Sequence, residues 1–178
     1  RQRQMCIRDS DNPMGYWEDM DVYSLNEAIL SQLFLTWNKI EDFEKRSLNY
    51  FAKEIFNIFE DQAIRLINDK LEASDHVVIK DPRFSILMPF WGVVLQKIDV
   101  PVYFFHIFRN PISVAGSLEK RNGISFNNGL FLWYYYNVVF LSESQFQVKS
   151  YSYHQLLSNP KNIFDDIAQT LKLSMFPK

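Results

Sequence analysis

No stretch of this chain constrains its fold more than Val102 to Arg121, VYFFHIFRNPISVAGSLEKR, where an apolar strand passes directly into a helix. Val102 to Phe108 is a near-continuous run of β-branched and aromatic residues, the pattern of a strand buried on both faces of a parallel sheet. Arg109 stands at its carboxyl end. Asn110 suits a helix cap and Pro111 a first helical position, where a missing N–H costs nothing, so the spacing predicts a helix from Ile112 to about Arg121. Asn122-Gly123 ends it. Ser113, Ser117 and Arg121 lie four apart and share one face of that helix, and its amino end offers free N–H groups to an anion. An arginine at a strand end, a helix amino terminus and a serine face make a candidate phosphate site. The bland alternative is an arginine at a sheet edge and serines facing water.

The same order of parts recurs upstream. His76 to Lys80, HVVIK, reads as a short buried strand with a cation at its carboxyl end, followed by Asp81-Pro82. Two cations at carboxyl ends of parallel strands can converge on one crevice, where open α/β sheets bind ligands. Asp81 reads as a cap, and Arg83 takes no assigned role. Pro89 is expected to kink or restart a helix over Phe84 to Leu95. Gln147 to Tyr153 is a third strand, and His154 to Pro160 leads into a helix over Asn162 to Leu171. Strands separated by helices predict an α/β fold with a parallel sheet.

The remaining segments read as supporting helices. Ser24 and Glu27 form a capping box ahead of an inward stripe of Leu25, Ala28, Ile29 and Leu33. Phe43 to Leu71 is a long amphipathic stretch with Leu48, Phe51, Ile55, Phe59, Ala63 and Leu66 on one face, a core pattern and not a ligand box. Phe126 to Leu141 reads as a helix packed all round.

Composition excludes several classes. With 178 residues and 47% hydrophobic content, one domain with a substantial core is expected. A net charge of −2 argues against a nucleic-acid binder. Cys6 is the single cysteine, which rules out an internal disulfide framework. The longest apolar run, Phe131 to Leu141, contains three tyrosines and an asparagine, so no membrane span is expected. Nothing resembles a signal peptide, and a cytoplasmic location is expected. His76, His106 and His154 have no ligand spacing, so no metal is expected. Arg1 to Ser10, RQRQMCIRDS, has no apolar period and resembles translated sequencing-library adapter, a non-native tail outside the fold.

Arg109-Asn110-Pro111, with Ser117 and then Arg121 further along the helix, resembles the 3′-phosphate-binding segment of the sulfotransferase family, which uses 3′-phosphoadenosine 5′-phosphosulfate (PAPS). Lys80-Asp81-Pro82-Arg83 resembles the family segment whose lysine steadies the transferring sulfuryl group. Tyr153, Leu156, Leu157 and Pro160 resemble the segment whose tyrosine contacts the adenine end of PAPS. Gly15-Tyr16-Trp17-Glu18 resembles the segment after the phosphate loop in bacterial sulfotransferases and, more distantly, in tyrosylprotein sulfotransferases, where a glutamate is the proposed base. The likeness runs from about Met14 to Leu173.

The resemblance implies a P-loop NTPase-like parallel sheet flanked by helices, lacking the strand and glycine-rich phosphate loop that the family places upstream of residue 14. Residues 11–178 are then a partial domain, not expected to catalyse on their own. It implies cofactor contacts at Arg109, Ser117, Arg121 and Tyr153, and catalytic roles for Lys80 and Glu18. The expected reaction is sulfuryl transfer from PAPS to a hydroxyl or amine of a carbohydrate, a peptide tyrosine or a small molecule. Cytosolic small-molecule sulfotransferases place a histidine two residues after a comparable lysine; Pro82 stands there in this chain, which favours a glutamate-based variant. Two other classes remain: a P-loop kinase-like enzyme, which needs a GxxxxGK[ST] loop and a magnesium ligand, and a non-catalytic nucleotide-binding or scaffold protein.

Overall fold

The computed structural model describes residues 17–39 and 48–173. The Arg1 to Ser10 tail, Gly15, Tyr16 and Phe43 lie outside the described residues. The chain divides into two compact units, one of Arg1–Val100 with Tyr135–Glu143, the other of Pro101–Tyr134 with Ser144–Lys178. It is mixed α/β, mostly helical, with a small two-stranded parallel sheet.

In the first unit, α1 (Met20–Gln32) starts one turn before the predicted capping box. Asp19 is its cap, with Oδ1 accepting from the N–H groups of Asp21 and Val22 at 3.1 Å each. Ser24 lies inside the helix and its hydroxyl donates to the Met20 carbonyl at 2.8 Å. Aspartate wins because Lys70, 2.7 Å from Oδ2, also ties it to the end of α2 (Leu48–Glu72). The stripe that α1 buries is Val22, Leu25, Ile29, Leu30 and Leu33, while Ala28 is exposed. Ile55, Ala63 and Ile67 of α2 are buried in the same unit.

Pro89 restarts the chain, as expected. A 3-10 turn over Pro82–Phe84 precedes α3 (Met88–Gln96), whose first turn contains the proline. Phe84 stacks on Trp91 at 4.6 Å between ring centres, and Phe56 of α2 on Phe90 at 5.4 Å. Trp91 and Phe90 are buried in the unit's core, and Phe84 and Phe56 pack on them half-buried. Residues 76–80 do not form the expected strand. They lie without a ladder, and Val78 is 86% exposed. A strand exists only through pairing, and among the described residues no neighbour supplies one there.

In the second unit, β1 (Phe104–Phe108) runs parallel to β2 (Val148–Ser152), with Phe104 opposite Val148 and Phe108 opposite Ser152. The helix after β1, α4 (Pro111–Asn122), follows its sequence signals residue by residue. Asn110 Oδ1 accepts from the N–H groups of Ile112 and Ser113 at 2.9 and 3.3 Å. Gly123, in the left-handed region at φ 67°, closes it. The expected burial of β1 on both faces is not seen: Tyr103 and Ile107 are exposed and the rest of the strand is half-buried, because the ladder stops at two strands. β2 ends one residue early. Tyr153 opens α6 (Tyr153–Ser158), since Ser152 and Gln155 form a reciprocal capping box.

Two further helices lie among the described residues, α5 (Phe126–Glu143), which precedes β2, and α7 (Pro160–Thr170). α5 is not packed all round as predicted. Leu132 and Phe140 are buried, but Phe131, Tyr134, Val138 and Leu141 are exposed at three- and four-residue spacing, so one face of the helix meets solvent. Asp166 of α7 clamps β2, taking hydrogen bonds from Lys149 Nζ at 2.7 Å and from the Tyr151 hydroxyl. Those bonds, Lys149 first, hold Asp166 below the usual carboxylate range. Burial together with Asp166 pushes Tyr151 up to about 12.

Gly129 of α5 lies tightly against α4: an added Cβ would stand 2.8 Å from the Ala115 Cα. Substituting Gly129→Ala is therefore expected to destabilise the protein by about 1–2 kcal/mol in chemical denaturation, despite alanine's higher helix propensity, because backbone must move.

Candidate functional site

In the first unit a chain of polar side chains runs from the core to the surface. Trp91 Nε1 donates to Asn26 Oδ1 at 2.8 Å, and Asn26 Nδ2 donates to Asp81 Oδ2 at 3.1 Å. Asp81 Oδ1 accepts from the Arg83 backbone N–H at 2.8 Å, as the cap expected from the sequence, and from Arg83 Nη1 at 2.9 Å. The same Nη1 donates to Glu18 Oε2 at 3.2 Å, and Lys80 Nζ donates to Glu18 Oε1 at 3.0 Å. The two residues assigned catalytic roles by resemblance, separated by 62 positions, thus form an ion pair. The Glu18 side chain is 6% exposed and that of Lys80 56%, so the pair stands where the buried network reaches solvent.

Local structure explains the convergence. The turn capped by Asp81 folds Arg83 back over the aspartate, and Asp19, by starting α1, fixes the backbone next to Glu18. Glu27, one turn along α1 from Tyr23, accepts from Arg83 Nε at 2.5 Å, and the guanidinium carbon lies 4.3 Å from the centre of the Tyr23 ring. Burial works against the charge of Arg83, but Asp81 and Glu27 outweigh it and hold the guanidinium above its ordinary range. Tyr136, whose hydroxyl donates to the Trp37 carbonyl at 2.7 Å, is raised by burial and by the Asp81 and Glu27 charges, against the pull of Arg83. Among the described residues, no buried side-chain nitrogen or oxygen lacks a hydrogen-bond partner.

The Trp17 side chain next to Glu18 is exposed, its backbone is left-handed at φ 55°, and the groups bonded to Glu18 are cations.

The second unit holds the other four predicted residues. The Arg109 guanidinium carbon lies 5.4 Å from the centre of the Tyr153 ring, pairing two residues that the resemblance assigns to one ligand. The Arg109 carbonyl accepts from Trp133 Nε1 at 2.8 Å, which anchors the backbone ahead of the Asn110 cap. Ser117 and Arg121 are exposed on α4 along with Ser113, on the face set by their spacing. Arg121 Nε donates to Asn122 Oδ1 at 2.9 Å.

Sequence reasoning missed Arg83, Asn26, Glu27 and Trp91 as members of one network. The available signal was the Asp-Pro-Arg spacing, since a capping aspartate two residues before an arginine brings both its backbone and side-chain donors to one carboxylate. The partners on α1 and α3 carry no such signal. Among the described residues there is no group of three or more His, Cys, Asp or Glu that could hold a metal ion, and no helix is long and apolar enough to cross a membrane. Comparisons with protein-family models, with curated proteins and with solved structures find no match for this chain.

Replacing Asn26→Leu leaves Trp91 Nε1 and Asp81 Oδ2 without their partner in the core, and a loss of about 2–4 kcal/mol is expected in denaturant titration. A second expectation concerns acid. Burial opposes the charge on Asp19, but Lys70 and the N–H groups of Val22 and Asp21 outweigh it and lower its pKa below 3.8. The folded form thus binds fewer protons, so the stability contributed is full above that value and is lost as pH falls through the lowered one. Asp19→Asn should therefore lose less stability than the parent when thermal midpoints are compared between about pH 5 and about pH 2.

Proposed function

We propose that this chain carries part of a PAPS-dependent sulfotransferase with a P-loop NTPase-like fold, acting on a hydroxyl or amine acceptor. The observation that carries the reading is the Lys80–Glu18 ion pair, because two residues assigned separately to charge stabilisation and proton removal stand 3.0 Å apart at a solvent boundary. The stacking of Arg109 over Tyr153 supports it from the nucleotide side.

In this reading Arg109, Ser117 and Arg121 hold the 3′-phosphate that distinguishes PAPS from ATP, and Tyr153 holds the adenosine. A guanidinium suits the phosphate through its fixed fork of donors. Lys80 stabilises the charge that develops on the transferring sulfuryl group. Glu18 takes the proton from the acceptor oxygen or nitrogen as it attacks sulfur, and the sulfur–oxygen bond to the nucleotide breaks in line. By analogy with phosphoryl transfer, positioning and charge stabilisation supply most of the catalysis.

The test is calorimetric titration of the chain with 3′-phosphoadenosine 5′-phosphate and with 5′-AMP. Arg109→Ala is expected to weaken the first by about 2–4 kcal/mol and to leave the second nearly unchanged, because a charge-assisted phosphate contact is lost. Equal losses for both ligands, or a parent chain that prefers ATP, overturn the reading.

A further inference from the structure

Arg83 has no task in the transfer just described, yet its side chain is held from several sides. Its side chain is 11% exposed and its guanidinium meets carboxylates from three places: Glu27 through Nε, and Asp81 and Glu18 through Nη1. The Tyr23 ring covers it. Asp81, whose side chain has no exposed surface, is itself held by Asn26, and Asn26 by the buried Trp91. A planar fork held this way has one orientation, and that orientation is set by groups other than Glu18. Glu18 Oε2 therefore bonds a fixed donor, and Oε1 is the oxygen that meets Lys80.

We propose that Arg83 is a positioning residue that holds the Glu18 carboxylate by Oε2 and so presents Oε1 to Lys80 at the solvent boundary. Its purpose, an acceptor hydroxyl meeting a carboxylate oxygen of fixed direction, rests on the sulfuryl-transfer reading; its geometry does not. Arg83 touches neither donor nor acceptor in this scheme and acts only through Glu18. A glutamate side chain has three rotatable bonds, and fixing them in advance removes an ordering cost that would otherwise fall on the reaction.

Zero-length cross-linking of the full chain with a water-soluble carbodiimide tests this. The reagent activates a carboxylate as an O-acylisourea, a lysine amine attacks the acyl carbon, and the urea leaves, so that an amide forms with net loss of one water from the pair. Mass spectrometry then compares the Glu18–Lys80 amide with the Asp19–Lys70 amide, a reference from the 2.7 Å pair one residue away. Arg83→Lys keeps a cation beside Asp81 and Glu27 but lacks the planar fork. It is expected to lower the ratio of the two amides roughly fivefold, and Arg83→Met at least as far, because proximity alone drives amide formation.

A purely structural role would lower both amides together or neither, and either result in Arg83→Lys overturns the proposal. Binding of 3′-phosphoadenosine 5′-phosphate separates this outcome from the reading on which it rests. A parent chain that ignores the nucleotide while the amide ratio still falls in Arg83→Lys upholds the positioning and removes the sulfuryl transfer. A parent chain that binds it while the ratio is unchanged does the reverse.

Discussion

A carboxylate withdrawn completely from water is tolerated only when another charge and further donors meet it, and the Asp81–Arg83 pair satisfies that condition in the first unit. Much of the unit's local structure depends on the pair. The backbone N–H and Nη1 of Arg83 both bond Oδ1, which shapes the 3-10 turn and fixes where Phe84 can stack on Trp91. Asn26 satisfies Oδ2 and so ties α1 to the same point. Removing one member of such a network exposes the others to an uncompensated desolvation cost, whereas the complete set specifies one arrangement of α1, the turn and α3.

The network also sets the character of its outer end. Glu18 is buried and receives hydrogen bonds from two cations, one nearly enclosed and one largely exposed. Its two oxygens are thereby made unequal: Oε2 faces the protein's own charge balance and Oε1 faces a lysine that solvent reaches. In the second unit, capping does the corresponding work. Asn110 and Gly123 bound α4, the Trp133 bond holds the Arg109 carbonyl, and Asp166 clamps β2 through Lys149 and Tyr151.

Signals carried by a few adjacent residues were readable in advance. The Asn110-Pro111 start and Gly123 stop of α4, the Asp81 cap and the Pro89 restart depend on covalent geometry and on donors within three or four residues, and all stand as expected. Readings that needed a distant partner fared differently. HVVIK has strand composition but no ladder, β1 has a two-faced apolar pattern but half-exposed sides, and α5 has an apolar circumference with one face in solvent. Apolar composition states what a segment is able to bury, and only neighbours decide whether it does so.

The sequence by itself pointed to a parallel arrangement of strands separated by helices, and to the Asn110 and Gly123 ends of α4, because caps act locally. Glu18, Lys80, Arg109 and Tyr153 were singled out through the resemblance of their segments to sulfotransferase motifs. Tertiary structure alone decided that Glu18 meets Lys80 across 62 positions, that Arg109 stacks on Tyr153, and that Arg83 joins Glu18 to a buried aspartate. The reason is physical: a cap bonds its own chain neighbours, whereas the partner of a buried charge is whatever the packing of separate helices brings within hydrogen-bonding distance.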